Sequence, residues 1–181
     1  GVQTCALPIS GEDTIVYSPV FIQGDGGSQF RLNTYTVGLY RAALALAVDV
    51  EISVANMTFD PTTNAYGLGN VVGTGTYSYA ASTATGAIFS AVTFTWGSTD
   101  PTTRPKLTLA PALQGGNGWG GFWVGLRLKG PNASSTTNAL RRVNESTVGH
   151  SFNYFAKYTV STATFSNGWS FGSDASSQPY P

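Results

Sequence analysis

The chain has 181 residues, nine basic and nine acidic, a single histidine and a formal net charge of zero. Charged residues make up only 10% and aromatics 13%, too many rings and too little charge for a disordered chain. There is no basic field of the kind nucleic acid requires, and no apolar run of roughly 18 residues that could cross a bilayer as a helix.

Residues 1–9, GVQTCALPI, resemble the in-frame translation of a sequencing-library adapter. Residues 1–10 are therefore expected to be a non-native segment of a gene assembled from environmental or transcriptomic fragments. Setting aside Cys5 leaves no thiol for a disulfide or a metal. Residues 14–22 read as a strand that Pro19 places at an edge or bulge. GDGG at 24–27 is a turn, 29–37 alternates weakly, and 38–43 is either a turn or the start of the next strand. Residues 44–59 form the central strand. Leu44, Leu46, Val48, Val50, Ile52 and Val54 alternate with Ala45, Ala47, Asp49, Glu51, Ser53 and Ala55. That is the two-residue period of a strand with one buried face and one wet or lightly covered face. Beyond Asn56 the apolar side chains move to Met57 and Phe59, which predicts a bulge or bend at 55–56.

DPTTN at 60–64 is a turn with Pro61 at its second position. Residues 71–79 and 87–96 are strands, and Ile88, Val92, Phe94 and Trp96 share one face of the second, with Trp96 in the core. A short strand covers 106–109, and a glycine-rich loop covers 115–121. In 122–129, Phe122, Val124, Leu126 and Leu128 face inward. Strands follow at 139–143, 151–160 and 164–171, and 174–181 is a tail. Nine or ten short strands without a helix predict one all-β domain over 11–173. The architecture expected is an antiparallel two-sheet β-sandwich, jelly-roll-like.

Few residues carry chemistry. Residues 116–121 spell G-x-G-x-x-G, but a strand follows them, not the helix a dinucleotide fold requires. Trp119 in this loop, with Asn117 beside it, could stack on a sugar ring or anchor a partner. Trp123 lies opposite the inward face of its strand, and Asn167 and Trp169 form a similar pair. Asn117, Trp119, Trp123, Asn167 and Trp169 are thus the candidate ligand-binding residues. His150 has no Cys or His partner for zinc, and neither Ser151 nor a G-x-S-x-G elbow gives it a nucleophile. Asp49 and Glu51 share a strand face about 6.5–7 Å apart, a separation glycosidases use; their sequence neighbours Ala47, Ser53 and Ala55 provide no aromatic cleft. Asp25 and Asp60 lack EF-hand spacing and fit turns, so no metal and no cofactor is expected. Asn56, Asn132 and Asn144 begin glycosylation sequons.

Two stretches carry a resemblance. Residues 49–79, with the DPTT turn and VVGTGTYSY strand, and 121–158, with FWVGLRL, resemble the β-sandwich domains of exported bacterial surface proteins that bear PEP-CTERM-type sorting tails. The resemblance implies export, a sandwich fold and a surface or matrix role, with no catalytic residues. The expected function is a non-catalytic exported or cell-surface module with a structural or adhesive role, whose partners are polysaccharide or other copies of itself. The alternatives are a carbohydrate-binding module using loop tryptophans and a glycoside hydrolase or lyase using Asp49 and Glu51.

Overall fold

A computed structural model describes residues 12–111, 118–135, 138, 141–143, 150–151 and 154–170; at 39–40, 141–143, 150–151, 154–155 and 167–170 the description is of backbone only. The 1–10 segment with Cys5, Asn117, the Asn144 sequon and the 174–181 tail lie outside these residues.

The chain is all-β. Its strands are β1 (Thr14–Gln23), β2 (Gln29–Arg31), β3 (Thr34–Arg41), β4 (Val48–Asp60), β5 (Ala65–Tyr79), β6 (Ile88–Thr95), β7 (Lys106–Thr108), β8 (Ala110–Pro111), β9 (Trp119–Lys129), β10 (Arg141–Val143), β11 (His150–Ser151), β12 (Tyr154–Thr159) and β13 (Thr164–Ser170). One 3₁₀ turn, Pro101–Thr103, is capped by the Asp100 side chain. The large sheet runs β13-β12-β1-β9-β4-β5, with β11 added to β1 and β8 to β9; β10-β3-β6 and β2-β7 form two smaller sheets. Every pairing is antiparallel. The large sheet curls into a half-barrel, far enough for β13 to come into contact with β5.

The expected register of the central strand holds from Val48 onward. Val48, Val50, Ile52 and Val54 are buried against Val124, Leu126 and Leu128 of β9, Val37 of β3, and Val92 and Phe94 of β6. Burying these four side chains contributes at most about 6–12 kcal/mol. The pairing of β4 with β5 shifts between Val54 and Met57, so the bulge falls where the apolar residues change parity.

Leu44 and Leu46 depart from expectation. They are 57% and 43% exposed, and Ala45 between them is buried. Leu44 has φ +52, which ends the extended run before β4 begins. The segment is held by hydrogen bonds that an alternating pattern cannot reveal. Leu44 N–H donates to Ala84 O (2.9 Å), and Ser82 N–H donates to Ala45 O (2.8 Å). The buried Arg41 donates to Leu46 O (2.6 Å) and Ala80 O (3.0 Å), with its guanidinium carbon 4.5 Å from the Tyr79 ring centroid. Burial pulls the Arg41 pKa down, and Tyr79 opposes that shift.

Two further corrections concern β1 and the second face of β4. β1 is not an edge: β9 pairs along one side, β12 and β11 along the other. The described pairs run from Thr14 to Tyr17 with β12 and include Val20 and Phe21 with β11. Pro19 is paired with Trp123 of β9, so it lies inside the sheet. The face of β4 expected to be wet or lightly covered is part of a full second core beyond Glu51. Ala55 and Met57 join Tyr17, Trp123 and Ala156 in a second core, with Phe165, Tyr158 and Phe21 packed around it. Curling brings these rings together from strands far apart in the sequence. Gly125 makes the closest approach possible: a Cβ there would lie 2.5 Å from Tyr17 Cε1 and 2.6 Å from Ser53 Oγ.

Candidate functional site

Of the predicted ligand-binding residues, the described Trp119, Trp123, Asn167 and Trp169 lie at separate places in the large sheet. Trp119 opens β9 opposite Gln23 and is half-buried. The turn before it is tied to the GDGG turn by Gly24 N–H donating to Gly118 O at 2.6 Å. Asn167 and Trp169 lie within β13, with Trp169 paired to Phe155, rather than on a loop. The pairing Tyr17↔Ala156 puts Phe155 level with Ser18, five residues along β1 from Gln23. Trp119 and Trp169 are therefore offset by about 17 Å along the strands, with β1 and β12 between them. Trp123 is 0% exposed. Its ring packs edge-on against Phe165 (5.6 Å) and Tyr17 (6.5 Å), and its indole N–H donates to Gly67 O. A ligand cannot reach it. Trp96, expected in the core, is half-buried; it stacks on Phe94 and donates its indole N–H to Thr74 O at 2.7 Å.

Asp49 and Glu51 lie on the face that carries Tyr17 and Trp123. The sequence reading missed this aromatic neighbourhood because the rings come from β1, β9 and β13; the available signal was Gly125, a gap in an otherwise bulky strand. Glu51 is nevertheless engaged. Arg127 Nε lies 2.7 Å from its Oε1, off the N–H direction, and Lys129 Nζ lies 3.4 Å from its Oε2. In register, Glu51 faces Arg127 and Asp49 faces Lys129, so both acids of this pair are matched by a base on β9. Between this polar end and the rings, Ser53 Oγ and Tyr17 Oη are hydrogen-bonded at 3.1 Å. Burial pushes the Tyr17 phenol pKa up, and the Ser53 bond works against that rise.

The other singled-out residues serve local structure. The Asp60 carboxylate accepts from Thr62 N–H (2.9 Å) and Thr63 Oγ1 (2.8 Å); the Thr63 bond first, then the Thr62 bond, lowers its pKa. Asp25 O accepts from Ser28 N–H in the GDGG turn. Asn56 Oδ1 accepts from Thr108 N–H, and Asn132 Nδ2 donates to Ala47 O, both at 2.9 Å. These two sequon amides are thus occupied by the fold. His150 pairs by backbone with Phe21. Among the described residues no three His, Cys, Asp or Glu side chains gather as a metal site, and no helix is long and apolar enough to cross a membrane.

Two stretches of the chain carry no charge. Between Asp60 and Asp100 the sequence has no charged residue, and none lies between Arg41 and Asp49. These two runs contain β5, the end strand of the large sheet, β6, and the 42–47 and 80–87 connections. The bonds at Leu44, Ala45 and Arg41 lock the two connections together. Of the six exposed large hydrophobics described, Leu44, Leu46, Val71, Tyr77 and Phe89 belong to these two uncharged runs and only Val160 does not; the pairing of Val71 with Ala55 and of Tyr77 with Val50 puts those two on opposite faces of β5. Thr74, Thr76 and Ser78 on β5 are exposed as well.

No family model, curated protein or solved structure matches the chain.

Proposed function

We propose that this chain is a non-catalytic, exported or cell-surface module with a structural or adhesive role. We read its architecture as a two-sheet, jelly-roll-like sandwich, with β10-β3-β6 and β2-β7 as the second layer. The observation that carries the functional reading is that five of the six described exposed large hydrophobics fall in the two uncharged runs around β5. Interface centres are depleted of charge and enriched in aromatic residues. The engagement of Trp96 and Trp123 within the fold supports a structural over a glycan-binding role, and the pairing of Glu51 with Arg127 and Lys129 speaks against general acid–base work by that carboxylate.

A carbohydrate-binding module remains the second reading. It is favoured by Trp119, half-buried beside a turn at the end of β9. A polysaccharide panel and glycan array with the wild-type protein test the choice. The expected result is neither turnover nor binding. Turnover lost in Glu51→Gln would establish the hydrolase, and binding lost in Trp119→Ala would establish the glycan module.

A further inference from the structure

Arg41 and Tyr79 leave two buried polar atoms unanswered. Arg41 is 4% exposed and Tyr79 9%. Two nitrogens of the guanidinium are engaged, by the carbonyls of Ala80 and Leu46. Its Nε and the Tyr79 hydroxyl are buried and meet no hydrogen-bond partner. Both belong to one contact, since the guanidinium carbon stands 4.5 Å from the Tyr79 ring centroid. Ser90 comes close enough to favour the phenolate, but it makes no hydrogen bond of ordinary geometry with the hydroxyl. Native folds rarely leave buried donors unmet, and two in one contact call for an acceptor.

The charge is unanswered as well. Arginine keeps its proton in proteins, and burying a cation without a counter-charge is costly. No carboxylate pairs with Arg41 among the described residues. Val48, which pairs with Tyr79, shares its face of the sheet. Asp49 and Glu51 alternate onto the opposite face, where Lys129 and Arg127 match them. The contact also lies just beneath the surface. Leu46 and Ala80, whose carbonyls hold the guanidinium, are exposed, and so is Tyr77, whose ring meets that of Tyr79 edge-on at 4.8 Å.

We infer that Arg41, Tyr79 and Ser90 form a site for a small monovalent anion, a halide or a free carboxylate the size of formate, which accepts from Arg41 Nε and the Tyr79 hydroxyl. A water molecule would meet the donors but bring no charge. A monoanion does both, and hydrogen bonds from a cation to an anion are the strong ones. A divalent anion would bury a second charge with nothing to balance it. The ion adds to the clamp that Arg41 already places on the 42–47 and 80–87 connections. The site does not depend on the module reading above.

Bromide is the probe. A crystal of the full chain grown in bromide, measured at the bromine absorption edge, should show an anomalous peak beside Arg41 Nε and the Tyr79 hydroxyl. In thermal melts over a bromide series, the wild-type midpoint should climb with bromide as linkage requires. Tyr79→Phe keeps the ring and removes the hydroxyl, and should at least halve that climb. Arg41→Met should abolish it. Effects of salt on the whole fold are common to all three chains and cancel in the comparison. Should Arg41→Met not fold, Tyr79→Phe and the anomalous map decide. A formate series separates the sources: a response to bromide alone marks a halide site, and a response to both marks a site open to carboxylates. An equal climb in wild type and Tyr79→Phe overturns the inference. So does a map with no peak at Arg41, or with peaks only at other basic side chains, which would be an adventitious ion only.

Discussion

The indole N–H of Trp123 in β9 donates to the carbonyl oxygen of Gly67 in β5 at 2.9 Å, across the intervening β4. This bond holds together three strands of the curled sheet at the level of the bulge. Trp123→Ala should therefore cost about 3–5 kcal/mol of stability. Trp123→Phe should cost less while still leaving the Gly67 carbonyl without its donor. Urea unfolding measures both. A Trp123→Ala variant as stable as wild type would show that this side chain is not core.

Gly125 should tolerate no side chain. Alanine there would push into Tyr17 and Ser53, and overpacking of this kind costs about 1–3 kcal/mol. Tyr17→Phe in the same background should recover little, because the clash involves the ring and not the hydroxyl. Chemical denaturation of the single and double variants checks this.

Val50→Asp and Leu46→Asp separate the two halves of the 44–59 stretch. Val50 is fully buried, so an unpaired carboxylate there should unfold the domain. Leu46→Asp should change stability by no more than about 0.5 kcal/mol. Leu44→Gly should be neutral or stabilising by up to about 1 kcal/mol, since glycine accepts the positive φ. Thermal melts of the three variants give the ordering.

Asn56→Ala removes the acceptor for Thr108 N–H and should destabilise by about 1–3 kcal/mol. Aspartate at the same position keeps an acceptor oxygen and should cost less. The difference between the two, read from unfolding midpoints, checks the role of this amide.

Alkali should weaken the fold. Burial raises the phenol pKa of both Tyr17 and Tyr79 above the ordinary 10.0. Unfolding frees each phenol to ionise at its ordinary pKa. The stability from keeping them protonated is thus fully present below pH 10 and is lost as pH rises through the higher folded values. Ultraviolet titration should show these two rings ionising late, and Tyr17→Phe should flatten the alkaline loss of stability. The sign reverses for Asp13, Asp60 and Asp100. Hydrogen bonds from Ser161, Thr63 and Thr102 respectively are the largest causes lowering their pKa values below 3.8. What those bonds contribute is present above that value and fades as pH falls through the lowered ones.

The legible part of the fold lay in residues whose neighbours on the same strand decide their fate. The register of Val48 to Val54, the bulge after Val54, and the inward set of β9 all follow from alternation alone. Leu44 and Leu46 continued the same alternation, but a turn set by Arg41, Ala80 and Ala84 overrode it. The second core could not be read, because Tyr17, Trp123 and Phe165 meet only when the sheet curls. Trp123 was placed on the correct face, but that face is a second interior. The charge-free run between Asp60 and Asp100 was in plain view, and it gained meaning only when β5 was found at the end of the sheet and β6 beside it.

The position of β1 has a kinetic consequence. Thr14 pairs with Thr159 on one side, and Val16 pairs with Leu126 on the other. The first described strand therefore waits for β12 to be synthesised before its second edge is satisfied. Such long-range pairings close slowly, in milliseconds to seconds for all-β domains. Elongation through the last strands is slower still, at about 5–20 residues per second. Until β12 emerges, β1 exposes an open edge carrying Val16, Tyr17 and Val20, so a nascent or C-terminally shortened chain is open to aggregation along a strand that ends up inside the sheet.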